Sequence, residues 1–422
     1  MKKLLYFILK ILSRRIIKKY KPVIVGITGS IGKTSAKEAT YAVLCSHFNV
    51  RQNIKNYNNE IGVPLTIIGA ETGSRSIVLW LKVFAKALSL LIKHDVNYPE
   101  ILILEMGADK PGDIEYLVEI APPTIGVVTK VGPTHLEFFG SVDEVAKEKQ
   151  KIVTCLNKEN FAVLNFDDAL VMKMGKKVSA KVMTFGFEQG ADVRAIEMSN
   201  RGQGLNTEGL NFKVQYQGSS VPMFLPGVIG SHQINAALVA CAVGLSLGMD
   251  LIQISRSMAN YHAPKGRMNL LLGIKNSLII DDTYNSSPDA AKAAIESVAK
   301  FSAGRKVAIL GDMLELGEIT DKAHFELGHQ VAQNGFNVLM AVGKNRLQTV
   351  KGARENGLSD CLDFENSVLA SQKIADLINE NDVILVKGSQ GSRMERIVRA
   401  LLPDQSKADE LLVRQGADWI DK

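Results

Sequence analysis

Two textures of apolar and polar residues alternate along the chain. Short β-branched runs recur at Val23–Ile27, Ile101–Glu105, Thr124–Thr129 and Ala162–Asn165, apolar along their length rather than every second residue. Such runs predict parallel strands buried on both faces. Between them lie longer stretches of helical spacing, with helix starts expected near Thr34, Asp113 and Ser141. Strand–helix alternation of this kind predicts an open parallel sheet covered on both sides. From about residue 180 to 228 the runs become short, polar-alternating and rich in glycine, which predicts a small antiparallel excursion before a helix holding His232 to Leu247. Turn formers then gather at Tyr261-His262-Ala263-Pro264-Lys265-Gly266-Arg267, and a second series of strands follows at Leu278–Asp281, Lys306–Leu310, Val338–Val342 and Val383–Val386. The pattern predicts an α/β protein with a central parallel-sheet domain over 23–262 and a C-terminal Rossmann-like α/β domain over 263–422.

Residues 1–22 form a separate amphipathic segment. Leu4, Leu5, Ile8, Ile11 and Leu12 fall near helical spacing, with lysine and arginine on other faces. Its apolar run is far too short to span a bilayer, and no small-residue cleavage site follows. Two readings stay open: a helix lying on an anionic membrane surface, or a helix docked on its own protein core. A second apolar segment, Ile77–Ile92 with Lys82 and Lys86 embedded, reads most simply as a packed helix, with the option of sharing a surface with the first.

The chemistry starts at Val23-Ile24-Val25-Gly26-Ile27-Thr28-Gly29-Ser30-Ile31-Gly32-Lys33-Thr34-Ser35, a strand, a glycine-rich turn and a helix start. Backbone N–H groups in such a turn converge on phosphate oxygens, the helix N-terminus adds positive potential and Lys33 supplies a point charge. Thr34 offers a hydroxyl to the magnesium ion of a nucleotide. The match departs from the general phosphate-loop pattern, because the first glycine falls one place early, at Gly26.

That departure, together with a collinear set of further stretches, resembles the Mur ligases and, within them, the branch that attaches D-alanyl-D-alanine. The stretches are Asn56-Tyr57-Asn58-Asn59-Glu60-Ile61-Gly62-Val63-Pro64, Glu105-Met106-Gly107-Ala108, His135-Leu136-Glu137, His232-Gln233-Ile234-Asn235-Ala236-Ala237, Gly266-Arg267, Asp281-Asp282-Thr283-Tyr284-Asn285, Gly311-Asp312-Met313 and Lys387-Gly388-Ser389. The resemblance covers about residues 23 to 400. It implies a phosphate-loop ATPase domain and a ligase that activates a cell-wall peptide carboxylate as an acyl phosphate before D-alanyl-D-alanine attacks.

It further implies two magnesium sites, with Thr34, Glu105, His135 and a carbamylated Lys149 as ligands. ATP would be held by Gly29, Ser30, Ile31, Gly32, Lys33, Thr34 and Ser35, with Asn235 reading the adenine edge. Arg267 would reach the phosphates on domain closure, and Asp282 would lie near the ribose. Catalytic roles fall to Lys33, His135, Lys149 and Arg267. Substrate contacts are expected at Asn58, Asn59, Tyr284, Asn285, Lys387 and Ser389. Family members carry a further domain that grips the uridine nucleotide before the phosphate loop, where this sequence has the amphipathic segment; recognition of the acceptor is therefore the part in question. Two alternatives are a related ligase on another carboxylate, such as a folate-type or poly-amino-acid substrate, and a non-catalytic membrane-associated nucleotide-binding scaffold.

Composition alters this picture little. The 422 residues carry a net charge of +6. Much of that excess sits in the first twenty-one residues, which hold eight lysines and arginines and no acid. This is a local feature, and no nucleic-acid partner is expected. Cys45, Cys155, Cys241 and Cys361 are scattered, which predicts reduced thiols rather than disulfides or zinc, and a cytoplasmic enzyme, peripheral on the inner membrane face if the first segment binds lipid.

Overall fold

The computed structural model describes residues 2–53, 57–74, 76–134, 136–301, 304–416 and 419. The chain divides into two compact units: Met1–Glu197 with Phe212–Met223 and Asn235–Tyr261, and Met198–Asn211 with Phe224–Ile234 and His262–Lys422. Residues 198–211 and 224–234, expected with the central domain, thus group with the second unit.

The helical segment α1 (Lys2–Tyr20) leads into β1 (Val23–Thr28), α2 (Lys33–Leu44), β2 (Val50–Gln52), α3 (Gly62–Ile68), α4 (Ile77–Ile92), β3 (Ile101–Glu105) and α5 (Asp113–Ile120). Then come β4 (Ile125–Val128), α6 (Leu136–Phe139), α7 (Val142–Thr154), β5 (Phe161–Asn165), α8 (Ala169–Gly175) and β6 (Lys181–Gly186). The segments β7 (Val193–Arg201), β8 (Gly209–Tyr216), β9 (Ser219–Pro226), α9 (Ser231–Ser246) and α10 (Leu251–Met258) follow. The strands run in the order β2-β3-β1-β4-β5-β6-β7-β8-β9. β1 pairs in parallel with β3 on one side, Ile27 opposite Glu105, and with β4 on the other, Val25 opposite Ile125. The chain therefore departs from β1 first to one side and then to the other, which makes the carboxyl end of β1 the topological switch point where such sheets bind ligands. Parallel pairing continues further than the sequence texture suggests, since β6 still runs parallel to β5 and β7. Beyond β7 the sheet continues through β8 and β9, joined by Gln217-Gly218, both at positive φ (46° and 80°), a link that suits a tight hairpin.

The inner face of α1 belongs to the core of the first unit. Leu9, Ser13 and Ile16 are fully buried, and Leu5, Leu12, Ile17 and Tyr20 pack against the same core. Of the two readings left open for this segment, docking on its own core holds for the inner face, where Leu5 and Leu12 point inward, while Leu4 and Phe7 are exposed. The apolar spacing has two faces to serve, and protein packing claims the one that holds Leu9 and Ile16.

In the second unit β10 (Asn269–Leu272), β11 (Leu278–Asp282), α11 (Pro288–Ala299), β12 (Lys306–Gly311), α12 (Thr320–Gln333), β13 (Val338–Val342) and α13 (Arg346–Glu355) precede β14 (Cys361–Phe364), α14 (Ser367–Leu377), β15 (Val383–Lys387), α15 (Glu395–Leu401) and α16 (Ala408–Leu411). Its sheet runs β10-β11-β15-β12-β13-β14, parallel except for β10 on the edge. Both faces are covered by buried aliphatic clusters.

Candidate active site

The phosphate loop is fixed by geometry that only glycine satisfies. Gly29 has φ 151°, and a Cβ placed there would lie 1.9 Å from Thr129 Oγ1. Gly32, at φ 86°, is the left-handed residue that opens α2. The loop is stitched to the segment after β4: Ser30 N donates to Lys130 O at 2.6 Å, Thr129 Oγ1 to Ile31 O at 2.6 Å, and Ser30 Oγ to Gly132 O at 3.0 Å. The first-turn N–H groups of α2 are left without intrahelical partners, as at any helix start, and form an anion cradle. Lys33 folds back over this cradle, its ammonium donating to Gly29 O at 2.7 Å. Ser35 is buried at the base of the loop, whereas Thr34 and Ile31 are partly open.

Glu105 ends β3 beside the loop and is buried. Asn58 Nδ2 donates to its Oε1 at 3.1 Å, and its own N–H donates to Asn53 Oδ1 at 2.6 Å. Asn53 also accepts, through its carbonyl, from Lys37 Nζ at 2.9 Å. It is a residue the sequence motifs did not flag. Asn59 is spent differently from the expectation of a substrate contact: its Oδ1 accepts from Ile61 N at 3.2 Å and Gly62 N at 3.0 Å, which caps the start of α3.

Lys149 projects from α7 and is only 3% exposed. Burial, reinforced by the Lys33 charge, pushes its pKa down to about 7, against the opposing pull of Glu148 and Asp109. The neighbouring Glu148, also buried, accepts from Ile114 N at 2.8 Å and Gly112 N at 3.0 Å and so pins the loop after β3. The sequence motifs did not flag Glu148, whose partners lie 34 and 36 residues away. His135 and Asn56 lie outside the described residues. Among the described residues no cluster of three or more histidine, cysteine, aspartate or glutamate side chains is poised around a metal. The donors present, the Thr34 hydroxyl and the Glu105 carboxylate, are hard oxygens of the kind magnesium takes.

Beside this centre a groove of about 710 Å³ is lined by Tyr6 and Lys10 of α1, by Asn58 and Asn59, and by Asp109 and Tyr116. The Lys10 ammonium sits 4.6 Å from the centre of the Tyr116 ring and pairs with Glu119. Asn235, on α9, has a buried Oδ1 that accepts no hydrogen bond. An orphan acceptor of this kind suits the exocyclic amino group of adenine.

The second unit gathers the remaining expected residues. Asp282 ends β11, and its Oδ2 accepts from Lys387 Nζ at 2.6 Å; the same ammonium donates to Asn285 O at 2.9 Å. Both charges are nearly inaccessible, so each satisfies the other. Asp281, fully buried, accepts from Thr283 Oγ1 at 2.6 Å, and burial pushes its pKa up to about 6. The Arg267 guanidinium lies 4.0 Å from the centre of the Tyr284 ring, and its Nε is buried without a partner. Ser389 Oγ accepts from Leu314 N at 2.9 Å and donates to Ser286 O at 3.3 Å. Arg267 and Tyr284 thus form one cluster, and Asp282, Asn285 and Lys387 another.

The fold and these sites define a class. The family model for the Mur ligase middle domain matches residues 84–244, and that for the Mur ligase glutamate ligase domain matches 266–390. The UDP-N-acetylmuramoyl-tripeptide–D-alanyl-D-alanine ligase of Escherichia coli (strain K12) is 31% identical over 384 residues, covering 90% of this chain and 76% of its own length. The chain belongs to the Mur ligase family, and its activity class is that of a ligase. Among solved structures, MurF from Acinetobacter baumannii superposes with a TM-score of 0.78 at 25% identity, covering 93% of this chain and 79% of that one. MurF ligase from Thermotoga maritima, in complex with ADP, superposes with a TM-score of 0.77 at 27% identity, covering 96% and 84%.

Proposed function

We propose that this chain uses ATP to activate the peptide carboxylate of a UDP-N-acetylmuramoyl-tripeptide or closely related cell-wall precursor and joins it to D-alanyl-D-alanine, releasing ADP and phosphate. The observation that carries the reading is a buried Lys149 within electrostatic reach of Lys33, whose charge helps to depress its pKa. A nucleotide-binding loop alone needs no buried lysine of depressed pKa brought close to its own.

In this reading the Gly29–Gly32 backbone and Lys33 neutralise the β- and γ-phosphates while the acceptor carboxylate attacks phosphorus, and the amine of the dipeptide then displaces phosphate from the acyl group. Asn235 takes the adenine edge. Lys149, about half neutral at pH 7, adds carbon dioxide through its neutral form: its nitrogen forms the N–C bond, one proton leaves, and the resulting carbamate supplies anionic oxygens beside Glu105. Magnesium, when bound there by Thr34, Glu105, His135 and the carbamate, would stabilise the charge that develops on the transferred phosphoryl group. Asn58 and the groove beside it would take the acceptor. Arg267, Asp282, Tyr284, Asn285, Lys387 and Ser389 are assigned to nucleotide and dipeptide. Residues 1–20 are read as touching an anionic membrane through the outer side of α1, where Leu4, Phe7, Arg14, Arg15 and Lys18 are exposed.

The test is ADP release in the presence of ATP, magnesium, UDP-N-acetylmuramoyl-tripeptide and D-alanyl-D-alanine, with the ligated product identified by mass. Release should require both substrates and fall by orders of magnitude in Lys33→Ala. Lys149→Ala should be inactive and regain partial activity with short carboxylic acids. ADP release that is indifferent to the dipeptide overturns the assignment.

A further inference from the structure

The helix α4 carries an apolar side that its own protein does not cover. At about 100° per residue, Ile77, Leu88, Leu81, Ile92, Ala85 and Val78 fall in that order within an arc of about 100°. Every one of them is exposed: Ile77 by 77%, Val78 by 62%, Leu81 by 61%, Leu88 by 50% and Ile92 by 80%, with Ala85 also open. The opposite side, with Val83, Ala87 and Leu90 buried and Trp80, Phe84 and Leu91 packed behind them, already holds the helix to the core. The stripe is therefore surplus to the packing of α4. It runs the length of the helix, about 22 Å at 1.5 Å per residue, where single exposed apolar residues would need no explanation.

Charge tells what covers it. Neither α1 (Lys2–Tyr20) nor α4 (Ile77–Ile92) contains an acidic residue, while α1 carries seven lysines and arginines and α4 two. The helices are joined: Lys19 Nζ donates to Leu90 O at 2.7 Å and Leu91 O at 3.1 Å, and Tyr20 Oη to Leu90 O at 3.0 Å. A second copy of this chain would bring the same pair of acid-free, lysine- and arginine-bearing helices against these, so self-association is opposed. An anionic surface that also accepts aliphatic side chains suits both properties.

We propose that the exposed stripe of α4 is the apolar docking face for an anionic lipid bilayer, with the helix lying in the membrane plane and its lysines at headgroup level. The proposal rests on the membrane reading of residues 1–20 only for added charge, and its test separates the two. Full-length protein is sedimented with vesicles of phosphatidylcholine containing phosphatidylglycerol, and with phosphatidylcholine alone. Ile77→Gln, Leu81→Gln, Leu88→Gln and Ile92→Gln combined should weaken binding to the anionic vesicles at least about tenfold. ATP binding and the circular dichroism spectrum should not change, because these side chains support neither. Arg14→Glu with Arg15→Glu and Lys18→Glu should weaken binding in a salt-dependent way. If that charge variant binds normally while the stripe variant does not, α4 stands and the reading of α1 fails. Unchanged sedimentation of the stripe variant overturns the proposal. So does a wild-type dimer in lipid-free solution that the stripe variant splits, which would make the stripe a protein interface.

Discussion

Replacing Lys149 by methionine should make the protein more stable while abolishing ligation, and the gain should depend on pH in one direction. An ammonium at this position is disfavoured by burial and by the Lys33 charge, which together lower its pKa from 10.5 to about 7. At about 1.4 kcal/mol per unit, that depression is worth up to about 5 kcal/mol in acid, which bounds the expected gain. The unfolded chain keeps this proton up to pH 10.5, whereas the native chain releases it near 7. Between those values the unfolded state binds more protons, so wild-type stability rises with pH and the penalty is greatest below pH 7. The variant lacks this titration. Its advantage should be full at pH 6, shrink through pH 8 and 9, and nearly vanish by about pH 10. Urea denaturation followed by far-ultraviolet circular dichroism, in carbon-dioxide-depleted buffer with chelator, reads the difference from the first transition midpoint. No gain at pH 6, or a gain that stays constant from pH 6 to 10, would falsify the view that a buried, depressed amine occupies this position.

Two further outcomes follow from the same geometry. Gly29→Ala should lose ATP binding altogether and destabilise the first unit by about 1–3 kcal/mol, because a Cβ there lies 1.9 Å from Thr129 Oγ1 on a backbone with φ 151°; calorimetric titration with ATP and a thermal melt read both, and retained binding would place the nucleotide elsewhere. Asn235→Leu should leave the fold intact, since Asn235 Oδ1 makes no hydrogen bond to lose, yet raise KM for ATP at least about tenfold with a smaller effect on kcat; an unchanged KM would remove Asn235 from the adenine site.

Much of this protein was legible in its sequence because the signals are local. A buried parallel strand is a continuous apolar run, so β1, β3, β4 and β5, and later β11, β12, β13 and β15, could be placed to within a residue or two of where they stand. The same run followed by Gly29, Gly32 and Lys33 specifies strand, turn and helix start, since positive φ at those glycines is a property of the residue itself. Strands shorter or more polar than this rule, β2, β10 and β14, escaped it.

What the sequence left open is what contact between distant segments decides. Apolar spacing along α1 and α4 shows that each helix has an apolar side but not which neighbour covers it; the core claims Leu9 and Ile16 of α1 and leaves Ile77 to Ile92 of α4 uncovered along one stripe. The roles of Asn53 and Glu148 exist only once β2, α5 and α7 have been brought around the end of β3, because their partners lie 52 and 34 residues away. The depressed pKa of Lys149 has the same origin. A lysine on an ordinary helix loses so much of its basicity only where tertiary packing removes its water and brings the Lys33 charge near it.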